Sequence, residues 1–270
     1  MAFALKPRLR TSHKGDNGVV LVIGGSEDYI GAPALVGMSA LAVLRSGADL
    51  VYVAAPSKVA WAVNCISPDL ITRKIECSNF AAKNVGEVVK LSENVDVVEI
   101  GNGIAFTPGA KEFMQKVIAR VRKPMVIDAA ALRVIRIQDV RNSVLLPHAK
   151  EFEVLLKNSG LTEKNVQKHL GSNVLVIKGH PKTIIMSKNK TAFNKTGNAG
   201  MTHGGTGDVL AGIVSGLMAQ GNDLFTSAKI ATYVNGKAGE MLYKNMGFGY
   251  LASDLVKTFS IILKRYQKQV

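Results

Sequence analysis

The stretch Val19-Val20-Leu21-Val22-Ile23, followed at once by Gly24-Gly25, decides the fold class of this chain. Five consecutive apolar residues, four of them β-branched, are typical of a strand that is buried on both faces, as the strands of parallel sheets are. Beyond it, Pro33 suits the first turn of a helix, and apolar residues recur at three-residue steps until Gly47 supplies a stop. The segment therefore predicts a strand followed by a helix, the unit from which parallel sheets are built.

The same alternation of short apolar runs and helical patterns continues along the whole chain. Further strands are predicted at Leu50–Val53, Val95–Ile100, Met125–Ile127, Val144–Leu146 and Val174–Ile177, and short hairpin strands at Thr183–Met186 and Thr191–Phe193. Pro108–Val121 has a helical pattern, and so does the chain from Asp208 almost to its end. These patterns predict an α/β fold with a mostly parallel central sheet and helices on both faces. Because no linker or repeat interrupts them, residues 1–270 are predicted to form a single domain.

Composition places the chain among globular proteins of reducing compartments. Of its 270 residues, 47% are hydrophobic and 20% are charged, whereas disordered chains are poorer in apolar residues. No apolar run approaches the ~18 residues of a membrane span, and Met1–Leu5 is followed at once by basic residues, unlike a secretory signal. Cys65 and Cys77 are too few for a disulfide framework or a four-cysteine zinc site. We therefore expect a cytoplasmic protein without a membrane partner.

The net charge of +14 is the unusual property of the composition. An excess of 34 Lys and Arg over 20 Asp and Glu attracts anions such as nucleic acids or phosphorylated small molecules. The basic residues are scattered, however, and aromatic residues make up only 6% of the chain, so the pattern lacks the aromatic platform of a single-strand binder. We interpret the charge as solvated surface and contacts to phosphate-bearing ligands, and we expect no nucleic-acid partner.

The most informative motif is Asn198-Ala199-Gly200-Met201-Thr202-His203-Gly204-Gly205-Thr206-Gly207-Asp208. Glycines in three of the four positions before Asp208 cost backbone entropy, which makes sense where the backbone approaches a ligand closely. The loop leads into an apolar helix at Asp208–Gln220, and free amides at a helix N-terminus form an anion hole. Asp208 is then either an N-cap or the base that accepts a proton from an attacking hydroxyl. At a helix N-terminus its carboxylate is predicted to be ionised near neutral pH.

This motif resembles the anion hole and catalytic aspartate of the ribokinase-like superfamily. With Leu210-Ala211-Gly212 after it, the motif is similar to that of the ADP/ATP-dependent NAD(P)H-hydrate dehydratase family. Further matches follow in the family's order at Lys14-Gly15, Val20–Ser26, Gly31–Pro33, Ala40-Leu41, Arg45–Ala48, Gly101–Gly103, Val126–Ala129, Pro147-His148, Glu151-Phe152, Lys178-Gly179, Gly236–Gly239 and Ala252–Leu255. The resemblance implies a ribokinase-like three-layer sandwich. It also implies a stand-alone dehydratase domain without the N-terminal epimerase domain that many relatives carry.

The resemblance implies a repair enzyme, a carbon–oxygen lyase that removes water from the S epimer of hydrated NADH or NADPH. ADP or ATP would be converted to AMP or ADP plus phosphate, with Mg²⁺ as cofactor, because a phosphate ester leaves far more readily than hydroxide. The family also implies a homo-oligomer, a tetramer. One alternative is a small-molecule kinase of the vitamin or hydroxyethylthiazole type, in which the phosphate stays on the product. A second alternative is a nucleotide-binding protein without catalysis, against which the presence of Asp208 argues.

Site roles carry over from the family residue by residue. Asp208 would be the catalytic base and contact the hydrate, and the amides of Gly205, Thr206 and Gly207 would hold the transferred phosphate. The adenine nucleotide would bind Gly207 and the segment Lys178, Gly179, His180, Pro181 and Lys182. The hydrate would contact Ala32, Gly103 and His148, and Glu151 would hold Mg²⁺ through water. From the residues alone, His148 is also readable as a turn cap and Lys178 as a solvated strand end.

Three positions depart from the family pattern. Asn102 replaces the usual proline between Gly101 and Gly103, Ala130 stands where a second acidic residue is common, and Lys150 stands where glycine is frequent. These positions bear on the metal and substrate contacts, whereas the glycine loop is intact.

Overall fold

Within residues 5–29, 31–179 and 181–270, which the computed structural model describes, nine strands form one continuous sheet. The strands are β1 (Val19–Ile23), β2 (Leu50–Pro56), β3 (Ile71–Ile75), β4 (Val97–Ile100), β5 (Met125–Ile127), β6 (Ser143–Leu145), β7 (Val174–Ile177), β8 (Thr183–Ser187) and β9 (Thr191–Asn194). Their order is β3-β2-β1-β4-β5-β6-β7-β8-β9, and the first seven are parallel. The hairpin strands β8 and β9 add antiparallel to one edge, as the sequence predicts.

Helices cover both faces of this sheet. The α-helices of the described residues are α1 (Ala32–Arg45), α2 (Ser57–Ile66), α3 (Val85–Ser92), α4 (Pro108–Arg120), α5 (Ala149–Ser159), α6 (Thr206–Ala219), α7 (Leu224–Met246) and α8 (Ala252–Leu263). Side chains of α1, α2, α6, α7 and α8 pack into the apolar core on one face, and those of α3, α4 and α5 pack into the core on the other. This arrangement confirms the predicted α/β fold with three layers.

The first strand shows why continuous apolar runs become central strands. Val20 and Val22 belong to the core beneath α1 and α6, whereas Leu21 and Ile23 belong to the opposite core. Successive side chains of a strand point to opposite faces, so a strand that is buried on both faces has no polar positions. Complete burial of each such side chain contributes about 1.5–3 kcal/mol.

Two glycines let α6 lie directly against α1. A side chain at Gly212 would collide with the carbonyl oxygen of Ser39, and one at Gly216 would collide with the hydroxyl of Ser46. The absence of side chains at these positions therefore allows the two helix backbones to approach closely. The packing fixes the relative position of two helix N-termini, which both lie at the carboxyl edge of the sheet.

Several elements are not predicted by the sequence patterns. Strand β3 is an edge strand in which Arg73 and Lys74 are exposed, so it contains no continuous apolar run. Strand β2 continues to Pro56, whereas the predicted strand ends at Val53, and β4 begins at Val97 rather than at Val95.

None of the helices in the described part of the chain is both long enough and apolar enough to span a membrane.

Candidate active site

The loops at the carboxyl edge of the sheet are tied to one another by backbone hydrogen bonds. The amide of Gly25, after β1, donates to the carbonyl oxygen of Asn102, after β4, over 2.9 Å. The amide of Lys178, after β7, donates to the carbonyl oxygen of Pro147, after β6, over 2.8 Å. Ligands of open α/β sheets bind at this edge, and the predicted site residues gather there.

The glycine loop turns sharply into α6. Gly205 has φ of +92°, a left-handed conformation that glycine adopts without strain, and α6 begins at the next residue. The Thr206 hydroxyl lies 2.7 Å from the carbonyl oxygen of Met201 and 3.0 Å from that of His203, which holds the loop against the helix start. Asp208 is thus the third helical residue, so α6 begins two residues earlier than predicted, and the alternative in which Asp208 is the N-cap is wrong.

The start of α6 presents free backbone donors. Within the described residues, the amides of Gly205 and Gly207 make no hydrogen bond, as is usual in the first turn of a helix. The Thr206 amide lies 3.4 Å from the carbonyl oxygen of His203 and is therefore partly engaged. A Cβ atom at Gly207 would lie 3.4 Å from Nζ of Lys178. A helix N-terminus, two free amides and an ammonium group together can bind a phosphate.

A buried ion pair lies beside this loop. Nζ of Lys178 is 2.7 Å from Oδ1 of Asp128, whose side chain is almost fully buried. The same carboxylate oxygen accepts a hydrogen bond from the amide of Ala129 over 2.8 Å. Lys178 is thereby fixed in place and is not a solvated strand end. Asp128 is not among the predicted site residues, although a charged residue directly after the buried strand β5 is a signal for a site at this edge.

Asp208 lies in a largely buried position between Asn102 and the Asp128–Lys178 pair. Burial raises the pKa of its carboxyl to about 7, and the negative charge of Asp128 acts in the same direction, while Lys178 and the nearby Asn102 side chain oppose the shift. A carboxyl group with this pKa is only partly ionised near neutral pH, where the sequence predicts an ionised Asp208, because burial outweighs the helix N-terminus. A carboxyl group with this pKa can both accept and release a proton near neutral pH.

Asn102 is the departure from the family pattern that lies closest to Asp208. Its side chain is fully buried, and neither of its amide atoms has a hydrogen-bond partner in the part of the chain that the structure describes. The next residue, Gly103, has φ of +66°, and a Cβ atom there would lie 2.9 Å from Cβ of Ala32. Ala32 and Gly103 thus meet on the Asn102 side of Asp208.

A cavity of about 420 Å³ opens against the glycine loop and the start of α6. Its walls include five predicted site residues, which are His148, Lys178, Gly179, Thr206 and Gly207. Among the other lining residues, Asn198, Met201, Thr202, Leu210 and Gly236 belong to the sequence motifs but carry no predicted role. No sequence pattern indicates a site at the remaining ones, which are Thr183, Asn194, Thr196, Gly197, Thr232 and Asn235. This volume suits a nucleoside-sized ligand.

Not every predicted contact residue lies on this cavity. Nζ of Lys182 stands 4.5 Å above the ring of Phe193, and neither Lys182 nor Pro181 lines the cavity. His180 lies outside the described residues. The resemblance implies that His148 contacts the hydrate, yet His148 lines the cavity together with Lys178 and Gly179, which the resemblance assigns to the nucleotide.

His148 and Glu151 cap the N-terminus of α5. Oε2 of Glu151 accepts a hydrogen bond from the amide of His148 over 2.9 Å, and the amide of Glu151 lies 3.4 Å from Nδ1 of His148. Burial raises the pKa of the Glu151 carboxyl, and the charge of Asp128 adds to this effect. No group of three or more His, Cys, Asp or Glu side chains within the described ranges is placed to hold a metal ion.

Comparison with known proteins agrees with this arrangement. A family profile described as NAD(P)H-hydrate dehydratase matches residues 20–260. The bifunctional NAD(P)H-hydrate repair enzyme Nnr of Methanothermobacter thermautotrophicus is 39% identical over 260 residues, which cover 91% of this chain and 49% of that protein. The ADP-dependent (S)-NAD(P)H-hydrate dehydratase of Cenarchaeum symbiosum is 35% identical over 277 residues, which cover 97% and 93% of the two chains. The chain spans about half the length of the bifunctional relatives that it matches.

Among solved structures, a ribokinase-like superfamily protein of Enterococcus faecalis superposes with a TM-score of 0.82 at 26% identity, covering 98% of this chain and 93% of that one. The nine-stranded sheet and this superposition therefore define a ribokinase-like α/β protein. Within this class, the chain belongs to the NAD(P)H-hydrate dehydratase family.

Proposed function

We propose that this chain removes water from the S epimer of hydrated NADH or NADPH and converts ADP, or ATP, to AMP, or ADP, plus phosphate. The observation that carries the proposal is the position of Asp208. Its carboxyl group is close enough to Asp128, Lys178 and Asn102 for all three to influence its pKa. The preceding residue, Gly207, lines the cavity, so a base at Asp208 stands beside the proposed nucleotide.

The nucleotide would occupy the cavity with its phosphates directed at the start of α6. The amides of Gly205 and Gly207, with a contribution from Thr206, would bind the oxygens of the transferred phosphoryl group. Lys178 would neutralise charge on the neighbouring phosphate, and Asp128 would hold its ammonium group in place. Gly179 and His148 would form part of the nucleotide wall.

Asp208 would act as the general base of the first step. The ring hydroxyl oxygen attacks the terminal phosphorus of the nucleotide, its proton passes to the Asp208 carboxylate, and the bond from phosphorus to the leaving AMP or ADP oxygen breaks. Because the attacking hydroxyl loses its proton late in phosphoryl transfer, a carboxylate of modest basicity is sufficient. Ala32 and Gly103 would hold the ring on the Asn102 side.

The second step releases phosphate. The carbon–oxygen bond to the new phosphate group breaks with the help of the ring nitrogen lone pair, and a proton then leaves the neighbouring carbon to restore the ring double bond. Inorganic phosphate is a far better leaving group than hydroxide, which is why a nucleotide is consumed. The overall products are NAD(P)H, AMP or ADP, and one phosphate.

The residues at the α5 N-terminus fit a magnesium ion that is carried by the nucleotide. Mg²⁺ at such sites retains several waters and is bound through one or two carboxylates together with substrate phosphates. Glu151 is a partly accessible carboxyl group close enough to Asp128 for their charges to interact, so it would hold the ion through water. When bound, Mg²⁺ would neutralise negative charge on the phosphates.

The direct test is to incubate the protein with hydrated NADH, ADP or ATP and Mg²⁺ and to record NADH absorbance and phosphate release together. We expect one phosphate per NADH recovered, with the Asp208→Asn variant as matched control. A stable phosphorylated product without recovered NADH would instead make the protein a small-molecule kinase. Parallel assays with ADP and ATP, and with hydrated NADH and NADPH, determine the preferred substrates.

We further propose that the protein is a cytoplasmic homo-oligomer, a tetramer. Exposed apolar side chains at Met246, Phe248 and Leu251 support self-association, and both described cysteines are free, which suits a reducing compartment. Light scattering of the purified protein tests the tetramer directly.

A further inference from the structure

Glu99 is a carboxyl group in the middle of the sheet that the proposed reaction does not use. It interrupts the apolar strand β4, it is 0% exposed, and it lies on the face that α1 and α6 cover. Ser39 of α1 and Ser215 of α6 contact its two oxygens. Burying an ionised carboxylate without a nearby cation costs free energy, so the question is whether Glu99 is ionised or protonated.

The hydrogen bonds around Glu99 can be counted. The hydroxyl of Ser39 donates to Oε1 of Glu99. The hydroxyl oxygen of Ser215 lies 2.6 Å from Oε2 of Glu99 and 2.9 Å from the carbonyl oxygen of Ala211. A serine has one hydroxyl hydrogen, so the two contacts of Ser215 are separate, unshared hydrogen bonds only when Oε2 carries a proton and donates it to Ser215. Ser215 then donates to Ala211, and every donor has one acceptor.

The charged groups around Glu99 also favour its protonated form. Among the ion pairs of the described residues, none includes Glu99. The charged groups that face it are Asp208 from α6 and Asp128 from the end of β5, and both are acidic. Strands β1 and β5 contain no charged residue, and the one charged residue of α1 is Arg45 in its last turn. Burial, followed by these two carboxyl groups, raises the pKa of Glu99 to about 8.

We propose that Glu99, held as a neutral carboxylic acid, is a positioning residue that ties β4 to α1 and α6 and so fixes the two helix N-termini that flank Asp208. Its effect on turnover rests on the proposed function. α1 begins at Ala32, beside Gly103, and α6 begins at Thr206, so a shift of either helix changes the space around Asp208. Loss of the proton would place an unpaired charge between the helices and repel Asp208.

Infrared difference spectroscopy tests the proton content without reference to any reaction. We expect the carbonyl absorption of a protonated carboxyl group at about pH 6, its loss as the pH rises through about 8, and its absence from Glu99→Gln. Asp208→Asn identifies the contribution of Asp208, which also carries a proton at that pH. A protonated-carboxyl spectrum at about pH 6 that Glu99→Gln does not change would overturn the proposal.

The pH profile tests the positioning role. Wild-type turnover is expected to fall above about pH 8, whereas Glu99→Gln, which keeps a donor toward Ser215 and an acceptor for Ser39, should retain turnover at neutral pH and lose this decline. Glu163→Gln, an exposed carboxyl on the surface, is the matched control and should keep the wild-type profile. Glu99→Ala should lower turnover at every pH, because it removes both partners' contacts and creates a cavity.

Two results would overturn the positioning role: the same decline above about pH 8 in Glu99→Gln, or a folded Glu99→Gln protein that is inactive at neutral pH. If the wild-type protein does not convert hydrated NADH at all, the proposed function fails while the role of Glu99 remains testable. Nucleotide affinity then reports the position of α6. A loss of affinity above about pH 8 in the wild type but not in Glu99→Gln supports the role, and equal affinities in both proteins refute it.

Discussion

Two aspartates, one at each edge of the sheet, occupy opposite chemical environments. Asp49 stands directly before β2 at the amino edge, and its side chain is only 8% exposed. Oδ2 accepts hydrogen bonds from the amides of Gly15 and Asn17 and from the side chain of Asn17, over 2.9, 3.1 and 3.1 Å. Oδ1 accepts one from Arg8 over 2.6 Å. Asp208, at the carboxyl edge, has no such set of donors.

The hydrogen-bond donors around Asp49 outweigh the effect of burial on its pKa, whereas Asp208 lacks such donors. Burial disfavours the charged form of Asp49, but the hydrogen bonds from Asn17 and Gly15 and the charge of Arg8 hold the pKa of this carboxyl below its usual range. For Asp208, burial and Asp128 prevail and the pKa rises to about 7. A carboxylate whose oxygens are supplied with donors stabilises the fold, whereas one that lacks them is available to exchange protons.

The largest expected effect comes from Asp208→Asn. This change keeps the size of the side chain and removes the base, so turnover should fall by about 10²–10⁴-fold, the usual contribution of a positioned base. Nucleotide affinity should change little, because the amides of Gly205 and Gly207 remain. The free energy of unfolding should fall by no more than about 1 kcal/mol, because Asp208 is not the helix cap. Turnover and melting temperature are measured on one preparation, and near-normal turnover would refute the catalytic role.

The pH dependence of turnover should follow the same group. Because the base is the ionised form and its pKa is about 7, turnover at saturating substrate should rise through about pH 7. Below that value it should fall about tenfold per pH unit. A rate that is independent of pH between about 5 and 7 would show that Asp208 does not act as the base.

The two aspartates also differ in their effect on stability: the raised pKa of Asp208 favours the folded state at low pH, and that contribution is lost as pH rises through about 7.

The third effect concerns Lys178→Met. This variant removes the ammonium group beside the glycine loop and leaves Asp128 without its partner at 2.7 Å. Nucleotide affinity should weaken by about 10–100-fold, the usual value for a lost charge-assisted hydrogen bond. Lys188→Met, in the exposed turn between β8 and β9, is the matched control and should bind the nucleotide as the wild type does. Equal affinities in both variants would show that Lys178 serves only the ion pair.

The sequence predicts the fold better than the site, for physical reasons. Central strands such as β1 and β5 are continuous apolar runs because both of their faces are buried, whereas the edge strand β3 contains the exposed Arg73 and Lys74. The glycine loop is a local signal that spacing alone reveals. Asp128 follows a buried strand, which is a local signal, but its pairing with Lys178 and the approach of cavity walls from β9 and α7 depend on tertiary packing. The raised pKa of Asp208 likewise depends on burial by distant residues.

Asp49→Asn should affect stability and leave chemistry intact. Replacing an oxygen that accepts hydrogen bonds by an amide leaves Gly15, Asn17 or Arg8 without a partner, so unfolding should become easier by about 1–3 kcal/mol. Turnover per folded molecule should equal that of the wild type. The lowered pKa of Asp49 stabilises the fold above its ordinary pKa, and this stabilisation is lost as pH falls through the folded-state value. The difference in melting temperature between the two proteins should therefore shrink in acid. If Asp49→Asn loses turnover while its melting temperature is unchanged, Asp49 also serves the reaction, and the assignment of Asp49 to stability and Asp208 to chemistry is wrong.

The smallest effect should come from Asn102, which bears on the environment of Asp208 without contacting the reacting atoms. Its fully buried amide opposes the rise of the Asp208 pKa, so Asn102→Ala should move the midpoint of the pH profile to higher pH. Turnover at neutral pH should fall by no more than about tenfold, the value of one neutral hydrogen bond at most, and the difference from the wild type should shrink as the pH rises.

Asn102→Asp distinguishes this electrostatic effect from a change of shape. The aspartate is close in size to asparagine but adds a carboxyl group beside Asp208, so the midpoint should lie higher still than in Asn102→Ala. Profiles of turnover against pH for the wild type and both variants provide the comparison. If turnover falls equally at every pH and the midpoint does not move, Asn102 acts only by filling space. Asp208 would then owe its raised pKa to burial and Asp128 alone, which would make the contrast with Asp49 sharper, because no donor on the Asn102 side would serve its carboxylate.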